Sequence, residues 1–192
     1  MNLRIERPER RKIRSLLDGV WQDHVHARTY RIESASSGSP RICAGIPAGD
    51  PDVISRLVDS LEEPVLLLYV FHTPRGEGEP GRYQSPELHR AQVLWFLHEF
   101  SGFLTGDARF DLWVHAPSMG ATLVWDRHDL LYAYGDLEAY LACLQKMGFV
   151  EGDVVIPSPH EHHYQMEFDA QAAEVLRSFE WTRTPLRLED EQ

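Results

Sequence analysis

Apolar residues along this chain recur with the two periods that distinguish helices from strands. Spacings of three and four residues predict five helices, each bounded by Pro, Gly or a capping Ser or Asp. These helices cover residues 8–20, 51–61, 86–104, 137–147 and 170–179. The first of them places its apolar residues at Ile13, Leu16, Leu17 and Val20.

Alternating or continuous apolar residues predict the strands that lie between these helices. Five of them cover residues 24–33, 41–46, 65–71, 154–156 and 164–168. Three more, joined by short connections, predict a three-stranded antiparallel meander at about residues 109–134. Because strands and helices do not alternate regularly, the pattern predicts an α+β fold. Its sheet is mixed or mostly antiparallel, with about five helices packed on it.

Length and charge narrow the class of protein. The 192 residues, 43% of them hydrophobic, fit a single globular domain over residues 1–192. The formal net charge of −11 repels nucleic-acid phosphates and anionic lipids, so we expect no nucleic-acid partner and no membrane partner. A basic protein is the partner that such a charge favours.

The charge is distributed unevenly along the chain. Residues 1–20 hold six of the 19 basic residues and three of the 30 acidic ones, which leaves +3 there and −14 on the remainder. We expect a basic N-terminal helix over residues 1–20. Its charge indicates a solvated helix face, or alternatively a helix that docks on an acidic body, its own or that of a second copy in a homo-oligomer. The acidic end, residues 186–192, is expected to be a frayed tail.

Cysteine usage and hydropathy indicate the compartment. Cys43 and Cys143 have no CxxC neighbour and predict two reduced thiols. The longest apolar run, Val65 to Phe71, is far shorter than the roughly 20 residues that span a bilayer. We therefore expect a cytoplasmic protein. The 17 arginines against two lysines are typical of a GC-rich, bacterial genome.

The ten histidines include one dense group, His160-Glu161-His162-His163. On an extended chain His160 and His162 face the same way, and two such imidazoles bind one divalent transition metal when a third ligand completes the site. The candidate ligands are therefore His160, His162, His163 and Glu167. A second HxH, at His24 and His26, lies on another predicted strand.

The spacing of His160, His162 and Glu167 resembles the first metal motif of the cupin family. The resemblance covers eight residues, and Val154 and Glu174 stand where that family has glycines. A cupin is also all-β and carries a second histidine motif, whereas the 25 residues after Glu167 include a predicted helix. We therefore reject the family and retain only a local metal hypothesis.

Four residues are candidates for binding a partner. Arg75, Arg82 and Tyr83 lie in or beside a loop rich in Gly and Pro, where they are suited to hold a carboxylate or a protein surface. Trp113 stands opposite the apolar face of its strand, as aromatic residues that anchor protein interfaces do.

Two functions from different classes remain open. The first is a non-enzymatic acidic binding protein, for example an inhibitor or immunity-type protein for a basic partner. The second is a small metal-dependent enzyme that uses His160 and His162. The sequence does not decide whether the protein is an enzyme.

Overall fold

The computed structural model describes residues 10–34 and 38–191, which contain twelve strands and five α-helices. The strands are β1 (Ile13–Leu17), β2 (Val20–Asp23), β3 (Thr29–Ser34), β4 (Pro40–Gly45), β5 (Leu66–Phe71), β6 (Gly81–Gln84), β7 (Phe110–Ala116), β8 (Ala121–Trp125), β9 (Leu130–Tyr134), β10 (Val150–Glu151), β11 (His160–His162) and β12 (Thr182–Thr184). The helices are α1 (Pro51–Val58), α2 (Arg90–Glu99), α3 (Ser101–Gly106), α4 (Leu137–Lys146) and α5 (Asp169–Val175).

These strands form two sheets. The larger has nine strands in the order β10-β3-β4-β9-β8-β7-β5-β6-β12, and the smaller has three in the order β11-β1-β2. All pairings between these strands are antiparallel except that of β10 with β3. The predicted α+β class is confirmed, and so is the antiparallel meander, which is β7-β8-β9.

Alternation along the central strands gives the larger sheet one apolar face and one mixed face. On β7, Phe110, Leu112 and Val114 are fully buried, whereas Asp111 and Trp113 point to the opposite face and are only partly buried. The apolar face and the buried sides of the helices form one continuous core. The side chains of the mixed face are therefore only partly covered. Within the described residues, no helix is both long enough and apolar enough to cross a membrane.

The predicted N-terminal helix is wrong where the structure describes it. Ile13–Leu17 and Val20–Asp23 are two strands of a hairpin, and residues 1–9 lie outside the described part. The turn between them is Asp18-Gly19, with φ of 50° and 77°. Two consecutive residues with positive φ match the right-handed twist of a hairpin, and Asp-Gly is the dipeptide that favours such a turn. The helical spacing of the apolar residues is therefore coincidental.

Several predicted strands also change position. Residues 154–156 and 164–168 are not strands, and β10, β11 and a 3₁₀ segment at Met166–Phe168 lie nearby instead. The predicted helix at 86–104 divides into α2 and α3, and β6 forms within the Gly- and Pro-rich loop. Short strands such as these depend on a partner strand rather than on their own pattern.

The C-terminal segment is docked rather than frayed. Thr182–Thr184 pairs with β6, and a 3₁₀ segment follows at Leu188–Glu191. Asp190 is buried and accepts a charged hydrogen bond from Arg82 and another from the backbone N–H of Arg187, at 2.7 Å. The acidic composition predicted fraying because it does not reveal this buried ion pair.

One buried arginine joins three separate segments. Arg109, at the start of the meander, is completely buried and pairs with Asp107, Glu77 and Asp169. Its guanidinium also donates to the carbonyl oxygen of Gln165 at 2.8 Å. The Gly-rich loop, the meander and α5 are therefore held together by charge-assisted hydrogen bonds in the interior.

Candidate metal centre

Three histidine rings from two distant parts of the chain meet at the edge of the smaller sheet. His160 and His162 stand at the first and third positions of β11, so both project from one face. His128 comes from the turn between β8 and β9, and its ring centroid lies 5.2 Å from that of His160 and 4.8 Å from that of His162. One ligand atom from each residue lies within 4.8 Å of the others. We call these residues the three-histidine site.

Hydrogen bonds determine which nitrogen two of these rings offer. The Nδ1–H of His160 donates to the carbonyl oxygen of Pro157 at 2.9 Å, and the Nδ1–H of His128 donates to Oδ2 of Asp126 at 3.1 Å. A neutral imidazole that donates through Nδ1 has its lone pair on Nε2. Metal-ligating histidines in proteins usually have such an oxygen on the remote nitrogen, because it orients the ring.

The third ring has an unsatisfied nitrogen. Nε2 of His162 is buried and has no hydrogen-bond partner among the described residues. Burial lowers the pKa of His162 to about 3, and the charges of His128 and Arg127 contribute to the shift. The ring is therefore neutral at pH 7 and would not have to lose a proton before binding a metal. A buried polar atom without a partner costs about 1–3 kcal/mol, which a ligand from outside the chain would recover.

The turn that carries His128 is held from several directions. Oδ1 of Asp126 accepts from two backbone N–H groups of the turn at 2.8 and 2.9 Å, and Asp129 occupies the left-handed region with φ of 58°. The completely buried Lys12 binds Oδ1 of Asp129 at 2.9 Å and the carbonyl oxygen of Asp126 at 3.2 Å. The indole N–H of Trp125 donates to the same Asp129 oxygen at 2.9 Å. These contacts fix the position of the His128 backbone.

The second HxH pair supports the same turn. Nε2–H of His26 donates to the carbonyl oxygen of His128 at 2.8 Å, which leaves Nδ1 of His26 to accept from Nε2–H of His24 at 3.3 Å. Burial lowers the pKa of His24 to about 4, with further contributions from His26 and His160. Gly45 allows this packing, because a Cβ at that position would lie 2.6 Å from the Cβ of His26.

The predicted ligands separate into two groups in the structure. His160 and His162 belong to the three-histidine site, whereas the next ring in the chain, His163, points elsewhere and bonds through Nδ1 to the carbonyl oxygen of Arg11 at 3.1 Å. Glu167 pairs with Arg10 at 2.7 Å and lines a cleft of about 840 Å³ that includes no residue of the three-histidine site. The structure therefore does not bring His163 and Glu167 to the other two.

The four candidate partner-binding residues also lie in different surroundings. Arg82 and Trp113 share a shallow pocket on the mixed face of the larger sheet, with the guanidinium 5.7 Å from the indole centroid. Tyr83 is buried and donates its hydroxyl to the carbonyl oxygen of Glu79 at 2.7 Å. Arg75 pairs with Asp169 at 3.2 Å.

The sequence interpretation missed His128. A sequence signal for it exists in Asp126-Arg127-His128-Asp129, a polar turn between two apolar strands of the meander. Nothing in that pattern relates the turn to β11, since the two segments are separated by more than thirty residues.

Comparison with protein-family models, with curated proteins and with solved structures found no match to this chain. The chemistry of the site is therefore inferred from its geometry.

Proposed function

We propose that this protein binds a divalent transition-metal ion, with Zn²⁺ as the best fit, through His128, His160 and His162. Three imidazole nitrogens are a typical ligand set for a zinc ion that keeps a fourth position for water or substrate. Each nitrogen would lie about 2.0–2.1 Å from Zn²⁺. The ligand atoms of the three rings already lie within 4.8 Å of one another, which is compatible with a single ion between them. The proposal favours the metal-dependent enzyme among the two functions considered.

The observation that carries the proposal is the buried, unpartnered Nε2 of His162 beside two rings that present the same atom. The large majority of buried side-chain nitrogens in proteins are hydrogen-bonded, so the lack of a partner here favours a ligand from outside the chain. The neutral state of His162 adds support, because protonation would otherwise compete with the metal.

The test is metal analysis and calorimetry on protein that carries no histidine tag. We expect one Zn²⁺ per chain, and a rise in stability of about 2.7 kcal/mol at a free metal concentration of one hundred times Kd. For a chain of this size, that corresponds to a rise in Tm of roughly 5–11 °C. EDTA should reverse this rise in Tm.

Variants decide whether the metal is at this site. His162→Ala and His128→Ala should each remove the Zn²⁺-dependent rise in Tm. His163→Ala is the matched control, because its ring lies next in the chain and bonds elsewhere, and it should keep the rise. Equal loss in all three variants, or no bound metal in the unaltered protein, would refute the proposal.

A basic protein partner is a second proposal, supported by the net charge of −11. Much of the acidic charge is paired within the chain, as for Glu33 with Arg31 and Arg41 and for the carboxylates around Arg109. We therefore rank it second. Its test is a defined basic protein that binds at low salt and is released as salt rises.

We also propose a cytoplasmic location, which the unbridged Cys43 and Cys143 favour.

A further inference from the structure

A serine lies on the same sheet face as the metal-ligand candidates. In the pairing of β1 with β11, Ser15 stands directly opposite His160, and Ile13 stands opposite His162. Directly opposite residues in an antiparallel pair project to one face, with Cβ atoms about 4.5–5.5 Å apart. The exposed pair Arg14 and Glu161, which forms a 2.6 Å salt bridge, marks the other face. Ser15 therefore faces the three-histidine site.

The hydroxyl of this serine is the second unsatisfied polar atom at the site. Ser15 is 1% exposed, and its Oγ has no hydrogen-bond partner among the described residues. Buried hydroxyls in proteins are almost always hydrogen-bonded. Two orphaned polar atoms, Oγ of Ser15 and Nε2 of His162, thus occupy the same face of a three-stranded sheet.

The two atoms differ in what they can contact. Nε2 of His162 is at the end of an imidazole and can bind a metal directly. The serine side chain is much shorter than its cross-strand neighbour His160, so its hydroxyl lies nearer to the sheet than the ring nitrogens do. A water on a metal held by the three rings would be a suitable partner for this hydroxyl. It can donate a hydrogen bond to Oγ.

We propose that Ser15 positions a metal-bound water for attack on a carbonyl ester, so that the site is hydrolytic rather than structural. This inference rests on the proposed function. A metal ion held by His128, His160 and His162 would lower the pKa of a bound water, which would then lose one proton to solvent. The remaining O–H would donate to Oγ of Ser15, which would direct a lone pair of the hydroxide away from the sheet. The hydroxide oxygen then bonds to the carbonyl carbon. The bond from that carbon to the leaving oxygen breaks, and the leaving group takes its electron pair and a proton from solvent.

The experiment uses the full chain loaded with Co²⁺, whose visible spectrum reports the ligands around the ion. Sodium azide tests for an open position, and 4-nitrophenyl acetate is the ester. We expect azide to shift the visible bands, and ester hydrolysis to exceed that of the same concentration of free Co²⁺. We expect Ser15→Ala to lower kcat at least tenfold while its Co²⁺ affinity stays within about threefold of the unaltered protein.

Ser15→Thr is the conservative control, because it keeps the hydroxyl on a β-branched side chain suited to a strand. It should retain kcat within about threefold, and far-UV circular dichroism should be the same for all variants. A structural role alone would not be rescued through the hydroxyl in this way. Unchanged kcat in Ser15→Ala, or no response to azide, or no hydrolysis above free Co²⁺, would overturn the inference.

The failures of the two proposals are distinguishable. If Co²⁺ produces no visible bands in the unaltered protein and none is bound on dialysis, the metal site itself is refuted and this inference with it. If Co²⁺ binds through the three-histidine site but azide and Ser15→Ala have no effect, only the role of Ser15 is refuted.

Discussion

Replacing Lys12 by methionine should destabilise the protein strongly, because this lysine is part of a fully buried ion pair. Its side chain is 0% exposed, and Nζ lies 2.9 Å from Oδ1 of Asp129 and 4.0 Å from the centroid of the Trp125 ring. Methionine fills a similar volume with no charge. Lys12→Met therefore leaves the Asp129 carboxylate, itself 6% exposed, without its cation.

The expected size follows from that burial. Removing one partner of a buried ion pair costs about 3–5 kcal/mol, because the remaining charge is neither hydrated nor paired. For a chain of this length, the loss corresponds to a fall in Tm of roughly 6–20 °C. Burial already raises the pKa of Asp129, while Lys12 opposes that shift. Protonation of Asp129 in the variant should therefore recover part of the loss at low pH.

The assay is urea unfolding followed by tryptophan fluorescence, with Lys146→Met as the matched control. Lys146 is the other lysine of the chain, and it is exposed on α4, so its replacement should change the free energy of unfolding by less than about 0.5 kcal/mol. The double variant with Asp129→Asn should be more stable than the sum of the two single losses, because neither buried charge remains.

Two results would refute this reasoning. One is a Lys12→Met protein whose free energy of unfolding lies within 1 kcal/mol of the original. The other is a double variant whose loss equals the sum of the single losses, since independent residues add and coupled ones do not.

Three further predictions concern the site and the buried charges. The pKa of His162 is lowered from 6.5 to about 3, so the unfolded chain binds more protons than the folded one between these two values. The free energy of unfolding should therefore fall by about 1–2 kcal/mol from pH 7 to pH 5, after allowance for partial exposure of the ring. A pH series of urea melts should show a smaller fall in His162→Phe. Asp126→Asn should weaken Zn²⁺ binding by about 10–100-fold in calorimetry, because the amide can donate to Nδ1 of His128 and so move the imidazole proton to Nε2. An unchanged affinity would contradict the assigned tautomer. Arg109→Met should lower the free energy of unfolding by at least about 3 kcal/mol, since it leaves buried carboxylates without their cation. A loss below 1 kcal/mol in the same melts would count against their burial as charged groups.

The sequence by itself determined the elements that carry their own periodic signal. The meander and the apolar strand before it were predictable, because alternation of buried residues is a local property that tertiary packing reinforces. The start of α1 was predictable as well, since Asp50 accepts from the backbone N–H of Asp52 and Pro51 opens the helix. The α+β class follows from the order of such elements.

The N-terminal hairpin could have been predicted from the sequence, but from its turn dipeptide rather than from the spacing of its apolar residues. Asp18-Gly19 is a turn dipeptide, and the helical spacing around it competes with that turn. The strands of the hairpin are stabilised by partners far along the chain, such as His160 opposite Ser15. Lys12 shows the same limit, because the basic composition of residues 1–20 indicates a solvated surface, whereas its side chain is wholly buried.

For the three-histidine site, too, the sequence predicts one part and the tertiary structure decides the other. His160 and His162 were predictable as a pair, because two residues apart on an extended chain always share a face. Only the tertiary structure added His128 and excluded His163 and Glu167, since which ring meets the pair depends on the packing of a distant turn. Residue types and local spacing indicate the available ligands, but their convergence on one point is decided by contacts between segments that are remote in sequence.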